Sequence, residues 1–188
     1  HTRALLRTLR LISVTLTVVS YVTGALFNHT GDLGAHAPHV PGQLGSMSES
    51  VRTVLHANAD KIRPGDVFMM NNPFNGGTHL PDVTVITPVF DAAGENILYT
   101  VASRGHHADI GGKTPGSAPP DSRTIDEEGI VIDNFLLVDR GTLREEDARD
   151  PLASGPYPCR NVDQNMADPP AKPPAHQTLA PAPRRPPP

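Results

Sequence analysis

The chain has 188 residues, with 16 lysines and arginines against 20 aspartates and glutamates, one cysteine and 21 prolines. This length predicts one domain with enough residues to bury a core. A formal net charge of -4 argues against a polybasic nucleic-acid surface and against binding to anionic membranes. A single cysteine excludes an intrachain disulfide and a cysteine-cluster zinc site, and it suits a reducing compartment such as the cytoplasm.

Residues 1–22 form an atypical N-terminal segment. Arginines precede the apolar run 11–25, as in a signal peptide. The run is too short and too rich in serine and threonine for a convincing membrane-spanning helix, which needs about 20 mostly apolar residues. The alternation over residues 14–18 fits a strand equally well. Because residue 1 is histidine and not methionine, we expect a piece of a longer protein.

The middle of the chain predicts an α+β domain over residues 23–168, with a mixed β-sheet, a central hairpin and few helices. A helix is expected over 46–61, because Ser46 and Glu49 have the spacing of a capping box and apolar residues follow at helical intervals. The other predicted elements, in chain order, are a strand at 66–70, a hairpin of strands 83–90 and 97–103 joined by 91–96, a strand at 130–138 and a helix-compatible stretch at 142–149.

Residues 169–188 form a proline-rich tail that holds nine of the 21 prolines. Proline lacks the backbone donor and biases its neighbour toward extended geometry, so helix and sheet are both disfavoured. We expect a disordered, polyproline-like tail; an SH3-type ligand is the functional alternative.

Residues able to carry chemistry flank the predicted hairpin. If the hairpin closes symmetrically about its loop, Asp82 lies opposite Gly105 and His79 opposite Ala108. Cross-strand neighbours lie about 5 Å apart, so two imidazoles and one or two carboxylates would converge and could hold a divalent cation. The predicted metal ligands are His79, Asp82, His106 and His107, with Asp109 close by. His106 and His107 should point to opposite faces of the strand, so only one of them need bind the cation.

The glycines beside these residues, Gly76 and Gly77, would let the backbone approach a ligand closely. His36 and His39 could add a ligand or contact the substrate. Each observation also has a purely structural explanation, since histidine and aspartate often satisfy turn backbone. Cys159 has no evident partner base and fits an incidental thiol.

The acidic run 126–128 is interpreted as a solvated loop, with a catalytic carboxylate in it as the alternative. Phosphate-binding loop, nucleophile-elbow and dinucleotide-binding motifs are absent from the sequence.

Several ungapped motifs extend over most of the middle of the chain. They are 37–41 (APHVP), 44–47 (LGSM), 65–73 (GDVFMMNNP), 76–84 (GGTHLPDVT), 102–112 (ASRGHHADIGG), 114–117 (TPGS), 127–129 (EEG) and 160–165 (RNVDQN). In these motifs, over about residues 25–168, the chain resembles the hydantoinase B/oxoprolinase family. Gln43 departs from the family pattern, which usually has histidine there.

The resemblance implies ATP-dependent opening of a cyclic amide: 5-oxoproline to glutamate, as in glutathione metabolism, or a hydantoin to its N-carbamoyl amino acid. It implies a separate hydantoinase A-like ATPase domain or subunit, through which ATP would act, and an oligomeric intact enzyme. Relatives that carboxylate ketones carry a divalent metal in the B-type part; Mn²⁺, Zn²⁺ or Mg²⁺ would fit the predicted ligands. A ketone carboxylase subunit and a non-catalytic remnant or interaction module remain alternatives.

The resemblance also implies roles for individual residues. Asp109 would orient a ligand imidazole or act as a general base, and Arg104 would clamp a substrate carboxylate or phosphate. His39 and the Gly76-Gly77-Thr78 segment would bind substrate. Family B-type chains are several times longer than this one, so the isolated chain is expected to be inactive.

Overall fold

The structure is a computed structural model that describes residues 22–36, 41–117 and 119–167. The segment 1–21, the strand alternative at 14–18, His39 and the tail 169–188 therefore lie outside the described residues. The strands are β1 (Val22–Phe27), β2 (Leu33–His36), β3 (Val67–Met70), β4 (Asp82–Phe90), β5 (Ile97–His106), β6 (Phe135–Asp139) and β7 (Thr142–Leu143). The helices are α1 (Pro41–Ala57), α2 (Ile125–Glu128), α3 (Glu145–Ala153) and α4 (Val162–Ala167).

The strands form one seven-stranded sheet in the order β2-β1-β5-β4-β3-β6-β7. Every adjacent pair in it is antiparallel, so the predicted α+β class and central hairpin are confirmed, with a wholly antiparallel sheet. Among the described residues, no helix has the length and apolar character to cross a membrane.

Apolar side chains cover both faces of this sheet. On one face, α1 packs Met47, Val51 and Val54 against residues of the strands that include Phe27 and Phe68. On the other face, side chains of α3 and the C-terminal loops pack against β3, β4 and β6; they include Ala148, Leu152 and Cys159. The hairpin strands β4 and β5 therefore lie in the middle of the fold, where their positions are fixed from several sides.

Helix α1 begins five residues earlier than the predicted helix. Its first residue is Pro41, and proline is favoured at the first helical position because no backbone N–H is needed there. The predicted capping box at Ser46 is therefore wrong: Ser46 lies inside the helix, and its hydroxyl accepts a hydrogen bond from Arg104. The helix also ends at Ala57, before the predicted limit.

The register of the hairpin differs from the symmetric prediction by one residue. Phe90 pairs with Ile97, as the symmetric loop predicts, but Val89 pairs with Tyr99 because a β-bulge leaves Leu98 without a partner on β4. All the pairs beyond the bulge are shifted by one position, and Asp82 lies opposite His106 instead of Gly105. The predicted pairing of His79 with Ala108 is also wrong, since neither residue belongs to a strand.

The predicted strand at 130–138 is shorter than expected, and β6 begins only at Phe135. Backbone groups earlier in this stretch bond elsewhere: Ile130 N–H donates to the Ile110 carbonyl and Ile132 N–H donates to the Asn71 side chain. The stretch at 142–149, expected to be compatible with a helix, divides between the short strand β7 and the start of α3.

Candidate metal and substrate site

A carboxylate and an imidazole form a hydrogen-bonded pair at the open end of the hairpin. Asp82 Oδ1 lies 2.7 Å from His106 Nδ1, because the two residues are directly opposite each other on β4 and β5. The side chain of Asp82 is buried and that of His106 is 42% exposed. Asp82 thus fixes the orientation of the His106 ring through Nδ1. Nε2 is the ring nitrogen that Asp82 does not contact.

The ring of His79 stacks on the ring of His106. Their centroids lie 5.7 Å apart, and the ring planes differ by 28°. The position of His79 depends on its loop, in which Asp82 N–H donates to the His79 carbonyl (2.8 Å) and Asn71 Nδ2 donates to the Leu80 carbonyl (2.7 Å). The structure therefore brings together His79, Asp82 and His106, three of the four predicted metal ligands.

The glycines of the same loop allow it to pack closely. A Cβ at Gly77 would overlap the carbonyl oxygens of Asn71 and Asn72, and Gly76 has a φ of +88° beside Ser50. Positive φ is the region that favours glycine. Both glycines are thus required by the path of the loop itself. Thr78, which follows them, is exposed.

Arg104 is a buried member of this region. Its side chain is 0% exposed, and it donates from Nε to Thr84 Oγ1 (2.7 Å) and from Nη2 to Ser50 Oγ (2.8 Å). Burial lowers the pKa of the guanidinium from its ordinary value, and the negative charge of Asp82 opposes that shift. The expected clamp on a substrate anion requires an open guanidinium, whereas this one lies inside the protein.

His107 lies on the other side of the strand end from His106. Its backbone N–H donates to the Pro81 carbonyl (2.8 Å), and its Nδ1 lies 3.2 Å from Asn165 Oδ1 in α4. The ring is buried, at 3% exposure. The structure thus separates the tandem histidines: His106 contacts the other candidate ligands, and His107 contacts the C-terminal part of the domain.

The carboxylate of Asp109 binds the C-terminal segment. Arg160 binds both of its carboxylate oxygens, with its backbone N–H at 2.7 Å and its Nη1 at 2.6 Å. Arg160 Nη2 additionally donates to the Gly112 carbonyl (2.8 Å). Sequence reasoning gave Arg160 and Asn165 no role, although both belong to the recognised motif 160–165. Together they attach the loop after β5 to the C-terminal segment.

The structure also describes three further candidates: His36, Cys159 and the acidic run 126–128. His36 ends β2 on an exposed position. Cys159 is buried, and burial raises the pKa of its thiol to about 11, which leaves it protonated at neutral pH. In the acidic run, Glu127 forms an ion pair with Lys113 at 2.8 Å, and this contact lowers the pKa of Glu127.

Comparison with known proteins decides the family. A sequence model described as "Hydantoinase B/oxoprolinase" matches residues 3–181. The chain belongs to the hydantoinase B/oxoprolinase family. The match extends beyond the 25–168 range of the resemblance at both ends.

Several relatives of this hydantoinase B/oxoprolinase chain are oxoprolinases. It is 54% identical to 5-oxoprolinase of Saccharomyces cerevisiae over 122 residues, which are 65% of this chain and 9% of the relative. It is 52% identical to 5-oxoprolinase 1 of Arabidopsis thaliana over 122 residues, 65% of this chain and 10% of the relative. The chain thus spans about a tenth of the length of these relatives.

Solved structures show the same fold. The crystal structure of the ATP-dependent caprolactamase from Pseudomonas jessenii matches with a TM-score of 0.74 and 28% identity, over 87% of this chain and 30% of that chain. A nucleotide-free acetone carboxylase structure matches with a TM-score of 0.61 and 23% identity, over 70% of this chain and 17% of that chain. The hydantoinase B/oxoprolinase chain therefore shares its fold with a part of each of these two longer chains.

The donor atoms of the hydantoinase B/oxoprolinase site are of a type that binds divalent cations. Imidazole nitrogen suits Zn²⁺ and related transition metals, and an imidazole whose Nδ1 is held by a carboxylate is a common arrangement of a metal ligand. Within the described ranges, no group of three or more His, Cys, Asp or Glu side chains is placed to hold a metal ion. The described part of the site therefore offers two imidazoles, His79 and His106, with Asp82 behind one of them.

Proposed function

We propose that this chain is part of an ATP-dependent hydrolase that opens 5-oxoproline to glutamate, a reaction of glutathione metabolism. The relatives named 5-oxoprolinase support this substrate, at 52% and 54% identity. The beta subunit of a caprolactamase, a protein named for another cyclic amide, is 35% identical over 124 residues. The similarity to acetone carboxylase is only 23% in sequence identity and supports a shared fold alone. Hydrolysis of a cyclic amide is therefore favoured over carboxylation of a ketone.

The proposed contribution of this chain is the site at the end of the hairpin. His79 and His106 would hold a divalent transition-metal cation such as Zn²⁺ or Mn²⁺, and Asp82 would keep the Nδ1 proton of His106 so that Nε2 presents its lone pair. When bound, such a cation polarises a carbonyl or phosphoryl oxygen and lowers the pKa of a bound water. Because His79 and Thr78 are exposed, this side of the loop would meet the substrate.

The complete enzyme would include parts that this chain does not supply. A hydantoinase A-like ATPase domain or subunit would bind ATP, in line with the much greater length of the relatives. The small cyclic amide would be the other partner, and the intact enzyme would be an oligomer in the cytoplasm, with neither nucleic acid nor membrane as a partner. The isolated chain is then expected to give no ATP-dependent turnover of 5-oxoproline.

The observation that carries this proposal is the stacked His79–His106 pair backed by Asp82. Its test is the metal content of the purified chain after incubation with Mn²⁺ or Zn²⁺ and dialysis, measured by mass spectrometry. The wild-type chain should retain a stoichiometric cation, and His79→Ala, His106→Ala and Asp82→Ala should lose it. His56→Ala, which removes an exposed histidine of α1, is the matched control and should retain it.

Failure would take one of two forms. A wild-type chain that retains neither cation would contradict the metal site, and so would retention by the His79→Ala and His106→Ala variants. The catalytic role of the site is tested separately in the full-length yeast relative, by replacing the residue that aligns with His106 by alanine and measuring ATP-dependent release of glutamate from 5-oxoproline. Unchanged turnover there would contradict the catalytic role of this site.

A further inference from the structure

A fully buried arginine lies directly beneath the candidate site. Arginine is almost never fully buried unless its donors are satisfied, and Arg104 is 0% exposed. Its guanidinium donates to hydroxyls on separate parts of the chain, which are Ser46 (2.5 Å) and Ser50 (2.8 Å) on α1, Thr84 (2.7 Å) on β4 and Thr78 (3.5 Å) on the loop between β3 and β4. One side chain thus joins a helix, a strand and the loop that carries His79.

Two of these contacts continue to the loop and to the carboxylate. Ser50 Oγ accepts from Arg104 and donates to the carbonyl oxygen of Gly76 through a short hydrogen bond. Thr78 Oγ1 lies 3.5 Å from Arg104 Nη1 and 3.5 Å from Asp82 Oδ2. The first connection fixes the start of the loop against α1, and the second reaches the oxygen of Asp82 that His106 does not use.

The backbone of Arg104 is itself held rigidly. It lies in β5 between two strands, opposite Thr23 of β1 and Thr84 of β4. Two positions further along β5, on the same face, lies His106. The guanidinium and the imidazole therefore share one rigid strand, and the loop with His79 is attached to that strand through the guanidinium.

We propose that Arg104 is a positioning residue that holds the loop of residues 76–82 in place, so that His79 and Asp82 meet His106. This inference rests on the proposed function, because the position of the two imidazoles is important only if they bind the cation. Arginine suits the task, since its planar fork offers five donors in fixed directions. A lysine ammonium is a single point with three donors and cannot reach both α1 and the loop in the same way.

The test uses three variants of the full chain. Arg104→Lys keeps the charge and loses the fork, and Thr78→Val removes only the hydroxyl between Arg104 and Asp82. The matched control is Arg52→Lys, which changes an exposed arginine of α1 whose ion-pair partners are Asp32 and Glu49. The readouts are the imidazole ¹H and ¹⁵N resonances of the metal-free protein, circular dichroism for the fold, and Zn²⁺ affinity by calorimetry.

In Arg104→Lys and Thr78→Val, the resonances of His79 and His106 should move while those of the remote His56 stay in place. Circular dichroism should show a retained fold. Zn²⁺ affinity should fall by about 10- to 100-fold in Arg104→Lys, the range found when a group that orients a metal ligand is lost, and by less in Thr78→Val. Arg52→Lys should match the wild-type chain.

The positioning role is overturned if the folded Arg104→Lys and Thr78→Val variants keep the wild-type resonances of both rings, or bind Zn²⁺ as the wild-type chain does. If Arg104→Lys fails to fold, Thr78→Val alone decides between these results. A wild-type chain that binds no Zn²⁺, but whose ring resonances respond to both substitutions, would contradict the proposed metal site and support the positioning role.

Discussion

The buried amide of Asn71 provides the sharpest test of how the site loop is held. Asn71 is 0% exposed, and its Nδ2 donates to the carbonyls of Leu80 (2.7 Å) and Ile130 (2.9 Å). Its Oδ1 accepts from Ile132 N–H at 2.6 Å. The side chain therefore connects the end of β3, the residue after His79 and the irregular segment before β6.

Replacing Asn71 with alanine removes all three hydrogen bonds and leaves three backbone groups without that partner, two of them in buried hydrogen bonds. Each net hydrogen bond contributes about 1 kcal/mol, and an unsatisfied buried group costs about 1–3 kcal/mol. We expect Asn71→Ala to lower the free energy of unfolding by at least about 3 kcal/mol. For a domain of this size that corresponds to a fall in melting temperature of about 6–12 °C.

The measurement is urea denaturation with thermal unfolding, compared with Asn75→Ala as the matched control. Asn75 lies in the same loop, and its side chain donates one exposed hydrogen bond to Asp133, so the loss of that bond should cost less than about 1 kcal/mol. Equal destabilisation by Asn71→Ala and Asn75→Ala would refute the reasoning. So would an Asn71→Ala chain in which the ring resonances of His79 are unchanged.

Two further predictions concern ionisable groups. The pKa of Asp32, held at about 2 by hydrogen bonds from Arg52, Thr30 and Asn28, should move toward its ordinary 3.8 in Arg52→Ala, as measured by NMR titration. Because the native pKa is depressed, the contact stabilises the fold above the unfolded-state pKa and is lost as the pH falls toward 2; an unmoved titration would contradict the contact. Cys159, with its pKa raised to about 11 by burial, should react with a thiol reagent at pH 8 only as fast as the domain opens, and fast labelling of the folded chain would show that the thiol is accessible.

Local pattern was sufficient to predict the strands of the hairpin but not their register. The β-branched and apolar runs identify β4 and β5, and the loop between them is where the sequence places it. The residue types around Leu98 do not predict a β-bulge, because the position of a bulge depends on how the neighbouring strands pack. The error of one position transferred to every pair beyond it, including the partner of Asp82.

Roles that depend on distant residues could not be predicted from local sequence. The alternation of side chains along a strand predicted opposite directions for His106 and His107, which the structure shows. The contact of Asp109 with Arg160 joins positions 51 residues apart, and the sequence alone does not show that two such residues lie close together in the fold. The same holds for Arg104, whose burial depends on α1 packing over β5.

Leu98 gives this ribbon a spare residue. Deletion of Leu98 would convert the bulge into regular pairing and would leave Asp82 opposite His106. The reason is that every residue of β5 after position 98 already pairs one position further along than a regular hairpin would have it. If Leu98 instead entered the ladder, Asp82 would face Gly105, which has no side chain to offer. A shift of one residue in register, about 26 Å of strand away (eight residues at about 3.3 Å each), would thus replace the carboxylate–imidazole pair by a carboxylate opposite a glycine.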